Sequence, residues 1–286
     1  MRTGGMTLQR MLRQRYGPSV SHRAVRFARQ LVAKQMPGSA AIVPALRSRT
    51  MDDRWAAGHF CYGVHELLPR PSIYITMLRQ PIDRLISLYY FVRSTPDAFY
   101  HRLAKNVTIE QFLLEEELLE LDNGQLRVIV GGGADYFTNR TPMGQCTMEM
   151  LEVAKRHIEE SFCFAGVTER FDESVLMLGH ALGWQNSFYL RRNEGPRGGK
   201  NKATHPELVA ELKRRNQLDC ALYDWVVQRL NKQIHAEGET FNRVRERFTR
   251  RNRTYNQLAA PVYAMYDFCK LKAKRVFHYR GYHRAK

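Results

Sequence analysis

The segment from Ser72 to Tyr90 constrains the fold more strongly than any other part of the sequence. It begins with SIYITML, an apolar and partly β-branched run that predicts a buried strand. Arg79 follows, and Pro81 then suits the first turn of a helix, where its missing N–H costs nothing. The apolar face of that helix is predicted to consist of Ile82, Leu85, Ile86, Tyr89 and Tyr90. A buried strand that passes directly into a helix is typical of an α/β domain with a largely parallel sheet.

Other apolar runs extend this α/β prediction along the chain. Phe162–Val167 (FCFAGV) predicts a second buried strand, and we expect a short strand within Trp55–Tyr62 that ends near His59. Arg191–Lys202 predicts a loop because it holds three glycines, one proline and five basic residues. Apolar spacing predicts helices in Leu8–Leu12, Glu110–Leu121, Met148–Glu160, Glu173–Leu182 and Pro206–Gln233.

The positive charge of the chain is concentrated at its C-terminal end. The formal net charge is +17, which suggests an anionic partner. From Phe241 to Lys286 there are thirteen Lys and Arg residues and two acids, so +11 of the +17 lies there. We therefore expect a domain at 1–236 and a basic, partly helical extension at 237–286. Interleaved aromatic residues in the extension suit nucleic-acid binding, an anionic glycan or an acidic membrane surface, but a solvated extension explains them equally.

The sequence also excludes several classes of protein. No run reaches the roughly 18–20 consecutive apolar residues of a membrane-spanning helix. The first residues lack the apolar segment of a secretory signal. The five cysteines are scattered and form no CxxC pair, so neither a disulfide framework nor a cysteine zinc site is expected. We expect a soluble protein with reduced thiols.

The first candidate site is the glycine turn Arg2-Thr3-Gly4-Gly5-Met6-Thr7, which runs into a predicted helix. Two adjacent glycines let backbone N–H groups converge on an anion at a helix N-terminus. Thr7 adds a hydroxyl, and Arg2 adds a positive charge. The segment is not a Walker A loop, because G-x-x-x-x-G-K-[ST] is absent. A simple turn and helix cap explains the same residues.

The second candidate site follows the strand at 72–78. Arg79 is expected at the carboxyl end of that strand, the edge where open α/β sheets bind ligands. A guanidinium there grips a phosphate through two hydrogen bonds. Ser87, two helical turns further on, offers a hydroxyl to the same group. The alternative is that Arg79 is a surface charge and Ser87 a small packing residue.

The third candidate site is Gly58-His59, followed by His65. A histidine beside an anion site is a plausible general base, although an isolated histidine is more often structural. A metal site would need further ligands, and none stands nearby in the sequence.

In their order along the chain, the three motifs resemble those of the sulfotransferases that use 3′-phosphoadenosine-5′-phosphosulfate (PAPS). The resemblance is greatest to the carbohydrate type related to heparan sulfate 2-O-sulfotransferase and its bacterial relatives. Arg2–Thr7 resembles the loop of that family for the 5′-phosphosulfate. Leu78–Pro81, with Ser87 eight residues after the arginine, resembles its Leu-Arg-x-Pro signature. Gly58-His59 resembles the Gly-His pair that carries its base. Later segments also resemble the family: Asn123, Gln125 and Arg127, then Phe164–Phe171, Leu182–Trp184 and the basic loop Arg191–Lys202.

The resemblance implies an α/β, P-loop-like three-layer fold with a central, mainly parallel sheet flanked by helices. Its first strand is expected to be absent, because Met1 directly precedes the loop. The implied reaction moves a sulfuryl group from PAPS to a carbohydrate hydroxyl without a metal. His59 would accept the proton, with His65 and Glu66 as alternatives. The residues implied to bind PAPS are Arg2, Thr3, Gly4, Gly5, Met6, Thr7, Arg79, Ser87, Arg197 and Lys200, and Arg2 would also stabilise the departing phosphate.

Two further expectations concern location and an alternative function. A cytoplasmic, bacterial-type enzyme is preferred, with Golgi-type membrane anchoring if a segment precedes Met1. The alternative function is a basic nucleic-acid- or polyanion-binding protein on a P-loop-like fold without catalysis.

Overall fold

Two parallel strands, β1 (Tyr74–Leu78) and β2 (Phe162–Val167), lie at the centre of the protein. The computed structural model describes residues 4–17, 55–67, 71–132, 138–184, 188–190 and 205–282. Within these ranges the fold is a mostly helical α/β fold with a small parallel sheet. Leu78 pairs with Val167, so the carboxyl ends of both strands meet at one edge of the sheet. Both buried strands predicted from the sequence are confirmed.

Nine α-helices accompany the strands in the described ranges. They are α1 (Gly5–Tyr16), α2 (Pro81–Ser94), α3 (His101–Asn106), α4 (Gly124–Val130), α5 (Met148–Ser161), α6 (Phe171–Ala181), α7 (Pro206–Arg215), α8 (Gln217–Ala236) and α9 (Thr240–Tyr282). The helix predicted to open at Pro81 is confirmed, and the Gln80 side chain caps it by accepting a hydrogen bond from the Asp83 N–H. α1, α5 and α6 confirm the helices predicted in their regions.

The strand expected within Trp55–Tyr62 is wrong, because this described stretch forms no ladder. Single contacts to different elements hold it instead. The Trp55 indole N–H donates to the Gly17 carbonyl at 3.0 Å. The Tyr62 N–H donates to the Val128 carbonyl of α4 at 2.8 Å. His59 therefore lies on a loop and not at the end of a strand.

The single helix expected over Glu110–Leu121 is also wrong. The chain forms a π-helical turn at Gln111–Glu115 and a 3₁₀ turn at Leu119–Leu121, with extended backbone between them. Phe112 and Leu121 are both buried in one core. One continuous helix would place these two residues, nine positions apart, on opposite faces. The break lets both enter the core.

The helix expected over Pro206–Gln233 is two helices, α7 and α8, divided at Asn216. The Asn216 side chain accepts a hydrogen bond from the Asn123 N–H at 2.8 Å and donates to the Leu212 carbonyl at 3.1 Å. Asn216 is fully buried. A tertiary hydrogen bond thus overrides the helical periodicity at this position.

Two large apolar cores, and a smaller cluster of Met11, Val175, Tyr189 and Phe248, hold the described elements together. The first surrounds the sheet, and α8 packs on β2 through Leu222, Val226 and Leu230, which are completely buried. Fully burying one such side chain stabilises a fold by about 1.5–3 kcal/mol. The second core lies between α2, α3, α7 and the turns at 111–121. β1 enters the first core and α2 the second, so the junction at Arg79 lies where the two cores meet.

The start of α9 packs on α6. Phe241 and Phe248 are buried, and the Thr249 hydroxyl donates to Asp172 at 2.9 Å. Arg245 Nη1 lies 2.7 Å from Glu173 Oε1, and the Glu173 carboxylate also forms an ion pair with Arg170. Part of the basic extension expected at 237–286 is therefore attached to the rest of the protein. The division of the chain at residue 236 stays a prediction.

The ion pair between α9 and α6 generates a prediction about pH. Burial alone would raise the pKa of Glu173, but hydrogen bonds from Arg170 and Arg245 lower it below its ordinary value. A carboxylate with a lowered pKa stabilises the fold above its unfolded pKa, about 4.3, and loses this effect as the pH falls further. We expect Glu173→Gln to lower the free energy of unfolding by about 1 kcal/mol at pH 7 and by less near pH 3.

Chemical denaturation at both pH values measures this difference. Glu152→Gln is the control, because Glu152 forms only an exposed pair with Lys155 within α5. A Glu173 variant whose deficit is the same at both pH values would contradict the assigned contacts.

Candidate active site

The candidate site lies at the edge where β1 and β2 end. The Thr168 hydroxyl, directly after β2, donates to the Leu78 carbonyl at 2.7 Å. The carboxylate of Glu169 accepts a hydrogen bond from the Gln80 N–H at 3.0 Å. These two bonds join the segments that leave the strands, so Arg79 lies between two fixed positions. The carboxyl ends of parallel strands are the usual ligand-binding edge of such sheets.

The start of α1 lies at the same edge. Gly4 has a φ of 71°, and a Cβ added there would lie 2.8 Å from the Phe171 ring and 3.3 Å from the Thr168 methyl group. The Thr7 N–H donates to the Gly4 carbonyl and closes the first turn. The partial positive charge of the α1 N-terminus is therefore next to the residue that follows β2. Arg2 and Thr3, the other residues predicted for this loop, lie outside the described residues.

Arg79 is half-buried, and its backbone is held on both sides by one amide. The Arg79 N–H donates to Gln125 Oε1 at 2.9 Å, and Gln125 Nε2 donates to the Arg79 carbonyl at 2.8 Å. Ser87, also half-buried, lies two turns into α2, the helix that begins just after Arg79. An N-terminal helix turn and a guanidinium at one edge together favour an anionic ligand.

His59 is exposed on its loop, and its charge acts on Glu120. Burial raises the pKa of Glu120, whereas the positive charges of Arg84 and His59 lower it. Arg84 on α2 also donates to the Glu120 carbonyl at 2.8 Å.

His65 lies at the opposite end of β1. Its Nδ1 is 2.7 Å from the Tyr74 hydroxyl, which also accepts hydrogen bonds from the backbone N–H groups of Gly63 and His65. Burial raises the pKa of Tyr74 above its ordinary value. Since Tyr74 begins β1, it lies roughly 16 Å along the strand direction from Arg79. His65 therefore makes a structural contact at the start of β1, at the opposite end of the strand from Arg79.

The sequence analysis did not identify two contributors to this edge, Thr168 and Glu169. Both directly follow β2, so the rule that placed Arg79 after β1 could also have identified them. It also assigned no role to Glu120, which it placed within the helix predicted over Glu110–Leu121. Arg197 and Lys200 of the predicted basic loop lie outside the described residues.

In the described ranges, His, Cys, Asp and Glu side chains form no group of three able to hold a metal ion. None of the helices described there combines the length and the apolar character that crossing a membrane requires.

Comparison with known proteins places the chain in a family of carbohydrate sulfotransferases. The family model for galactose-3-O-sulfotransferase matches residues 56–279, and the chain belongs to this family. Mouse galactose-3-O-sulfotransferase 3 is 29% identical over 167 residues, which cover 56% of this chain and 38% of that protein. The bovine protein of the same name is 26% identical over 206 residues, covering 66% and 46%. Mouse galactose-3-O-sulfotransferase 2 is 26% identical over 183 residues, covering 61% and 44%.

These matches confirm one expectation and correct another. The predicted membership of a carbohydrate sulfotransferase family is confirmed, and the family that matches is galactose-3-O-sulfotransferase. The expected cytoplasmic, bacterial-type location is wrong, because the matched relatives are animal Golgi enzymes. The matches span less than half the length of each of these relatives.

The glycine turn generates a prediction about stability, in which Gly4 is the tested position and Gly5 is the control. We expect Gly4→Ala to lower the free energy of unfolding by more than about 1 kcal/mol, because its φ of 71° is left-handed and its Cβ would meet Phe171. Gly5→Ala should leave stability unchanged or raise it, since nothing lies within 4 Å of a Cβ there and alanine favours the helix. Urea denaturation measures both. Equal stabilities for the two variants would contradict the packing of α1 at the strand ends.

Proposed function

We propose that this chain transfers a sulfuryl group from PAPS to a hydroxyl of a galactose-containing glycan. The family match supports the proposal, and so does the position of the start of α1 and of Arg79 at the edge where the strands end. The names of the matched relatives supply the acceptor, the 3-hydroxyl of galactose. The proposal includes the P-loop-like, three-layer arrangement of the sheet and helices that the resemblance implied.

The donor would be held by two sets of groups at the strand ends. The backbone N–H groups of Gly4, Gly5 and Met6, with the Thr7 hydroxyl, would bind the 5′-phosphosulfate together with Arg2 and Thr3. Arg79 and Ser87 would bind the 3′-phosphate, which distinguishes PAPS from other adenine nucleotides. Arg197 and Lys200 would cover the nucleotide from the basic loop. In this assignment both anionic ends of the donor receive a cation.

The residues of the chain would act on the reaction by position and charge. When bound, PAPS supplies an activated sulfuryl group on a phosphate leaving group. His59 would accept the proton of the attacking hydroxyl as its oxygen bonds to sulfur. Arg2 would stabilise the electron pair that the bridging oxygen keeps when its bond to sulfur breaks. The carboxylate of Glu120, which interacts electrostatically with His59, would stabilise the protonated imidazole.

The alternative, a nucleic-acid- or polyanion-binding protein without catalysis, is less well supported. It rested on the charge of the extension, but the family match runs through residue 279 and includes most of that segment. The contacts of Arg245 and Thr249 with α6 also give the start of α9 a structural role.

His59→Ala tests the assignment of the base. We expect turnover to fall by about 10²–10⁴-fold, because positioned proton transfer contributes that much. The affinity for 3′-phosphoadenosine-5′-phosphate (PAP) should stay unchanged. Transfer of radiolabelled sulfate from PAPS to a galactose-terminated oligosaccharide, with calorimetry of PAP, measures both quantities.

His65→Ala is the matched control for that experiment. It removes the contact with Tyr74, so we expect a lower melting temperature with turnover retained in the folded protein. Loss of PAP binding in the His59 variant, or full turnover without His59, would overturn its role as the base.

Arg79→Ala tests the assignment of the 3′-phosphate. A hydrogen bond to a charged group is worth about 1.5–3 kcal/mol, so we expect PAP affinity to fall roughly 10–100-fold. Adenosine 5′-phosphosulfate lacks the 3′-phosphate, and its affinity should stay the same. Equal losses for both ligands in calorimetry would contradict this assignment.

A further inference from the structure

The side-chain amide of Gln125 forms two hydrogen bonds with the backbone of Arg79. The β1–β2 ladder ends with Leu78 and Val167, so Arg79 is the first residue beyond it. Gln125 Oε1 accepts from the Arg79 N–H at 2.9 Å, and Gln125 Nε2 donates to the Arg79 carbonyl at 2.8 Å. The Gln125 side chain is almost wholly buried, with the residue only 3% exposed. One side chain thus satisfies both backbone groups of the arginine.

Gln125 is itself fixed by a buried carboxylate. Asp219 of α8 accepts hydrogen bonds from the N–H groups of Gln125 at 3.1 Å and Leu126 at 2.7 Å. Asn123 precedes α4 in the left-handed conformation, and its Oδ1 accepts from the Asp219 N–H at 3.0 Å. The starts of α4 and α8 therefore cap each other, the first through Asn123 Oδ1 and the second through the Asp219 carboxylate. Gln125 extends from a point that cannot shift without breaking buried hydrogen bonds.

We infer that Gln125 is a positioning residue for nucleotide recognition, and that it acts through Arg79. The inference rests on the proposed function, in which the Arg79 guanidinium binds the 3′-phosphate. That guanidinium lies at the end of a long side chain, so a small rotation of the Arg79 backbone displaces it by a larger distance. Gln125 holds this backbone and so fixes the point from which the Arg79 side chain extends. Its amide does not need to contact the nucleotide.

A double-mutant cycle separates this role from a merely structural one. Gln125→Met keeps a similar side-chain volume but removes both the donor and the acceptor. Calorimetry of PAP and of adenosine 5′-phosphosulfate is carried out on the unmodified chain, Gln125→Met, Arg79→Ala and the double variant. We expect Gln125→Met to weaken PAP about tenfold, to leave adenosine 5′-phosphosulfate unchanged and to have no further effect once Arg79 is alanine.

Asn139→Leu is the matched control. Asn139 is also a buried amide that links two backbone groups, because Nδ2 donates to the Gly131 carbonyl at 2.6 Å and Oδ1 accepts from the Thr141 N–H at 3.0 Å. These contacts lie at the C-terminal end of α4, away from Arg79. We expect this variant to unfold more easily while its ratio of PAP to adenosine 5′-phosphosulfate affinity stays that of the unmodified chain.

Several results would overturn the inference. PAP affinity unchanged in Gln125→Met, an additional loss in the double variant, or an equal loss for both ligands would each do so. If Gln125→Met does not fold, Gln125→Glu takes its place at neutral pH, where the carboxylate accepts from the Arg79 N–H but cannot donate to its carbonyl. If Arg79→Ala itself leaves PAP affinity unchanged, the assignment of the 3′-phosphate fails, and this inference fails with it. A loss in Arg79→Ala without one in Gln125→Met rejects the positioning role alone.

Discussion

The arrangement of the site depends on one buried carboxylate, that of Asp219. Asp219 is completely buried, and its carboxylate accepts hydrogen bonds from two backbone N–H groups at the start of α4. Arg84 Nη2 of α2 lies 3.9 Å from Asp219 Oδ2. Burial raises its pKa, while the guanidinium and the N–H groups favour the charged form. Removing one partner of a buried ion pair typically costs about 3–5 kcal/mol. Asp219 therefore fixes α8, α4 and α2 relative to one another, and Gln125 transmits this fixed arrangement to the end of β1.

Gly124 is part of the same constraint. A Cβ on Gly124 would lie 3.0 Å from Arg84 Nη2, so the glycine lets the guanidinium pack against the start of α4. The strand ends are then joined by Thr168 and Glu169, and α1 begins against Thr168. This arrangement brings the N-terminus of α1 and Arg79 to the edge where the two strands end. This arrangement agrees with membership of a family of carbohydrate sulfotransferases.

Local patterns predicted the elements whose structure depends on their own residues. β1, β2 and the start of α2 follow from apolar runs and Pro81, and the motif order indicated a carbohydrate sulfotransferase. The errors occur where contacts distant in sequence decide the backbone. Asn216 divides a periodic helix because Asn123 donates to its side chain. Glu120 approaches His59 only after the chain breaks its expected helix at 116–118. Neither interaction can be predicted from residues that are neighbours in the sequence.

The most direct test of the central claim is ligand-dependent thermal unfolding of the unmodified chain. A ligand at one hundred times its Kd stabilises the folded state by about 2.7 kcal/mol. We predict that PAP raises the melting temperature well above the value reached with equal ATP, and that single-stranded DNA leaves it unchanged. An equal response to PAP and ATP would contradict recognition of the 3′-phosphate at the end of β1. A response to DNA that weakens steeply with salt would instead indicate a polyanion-binding protein.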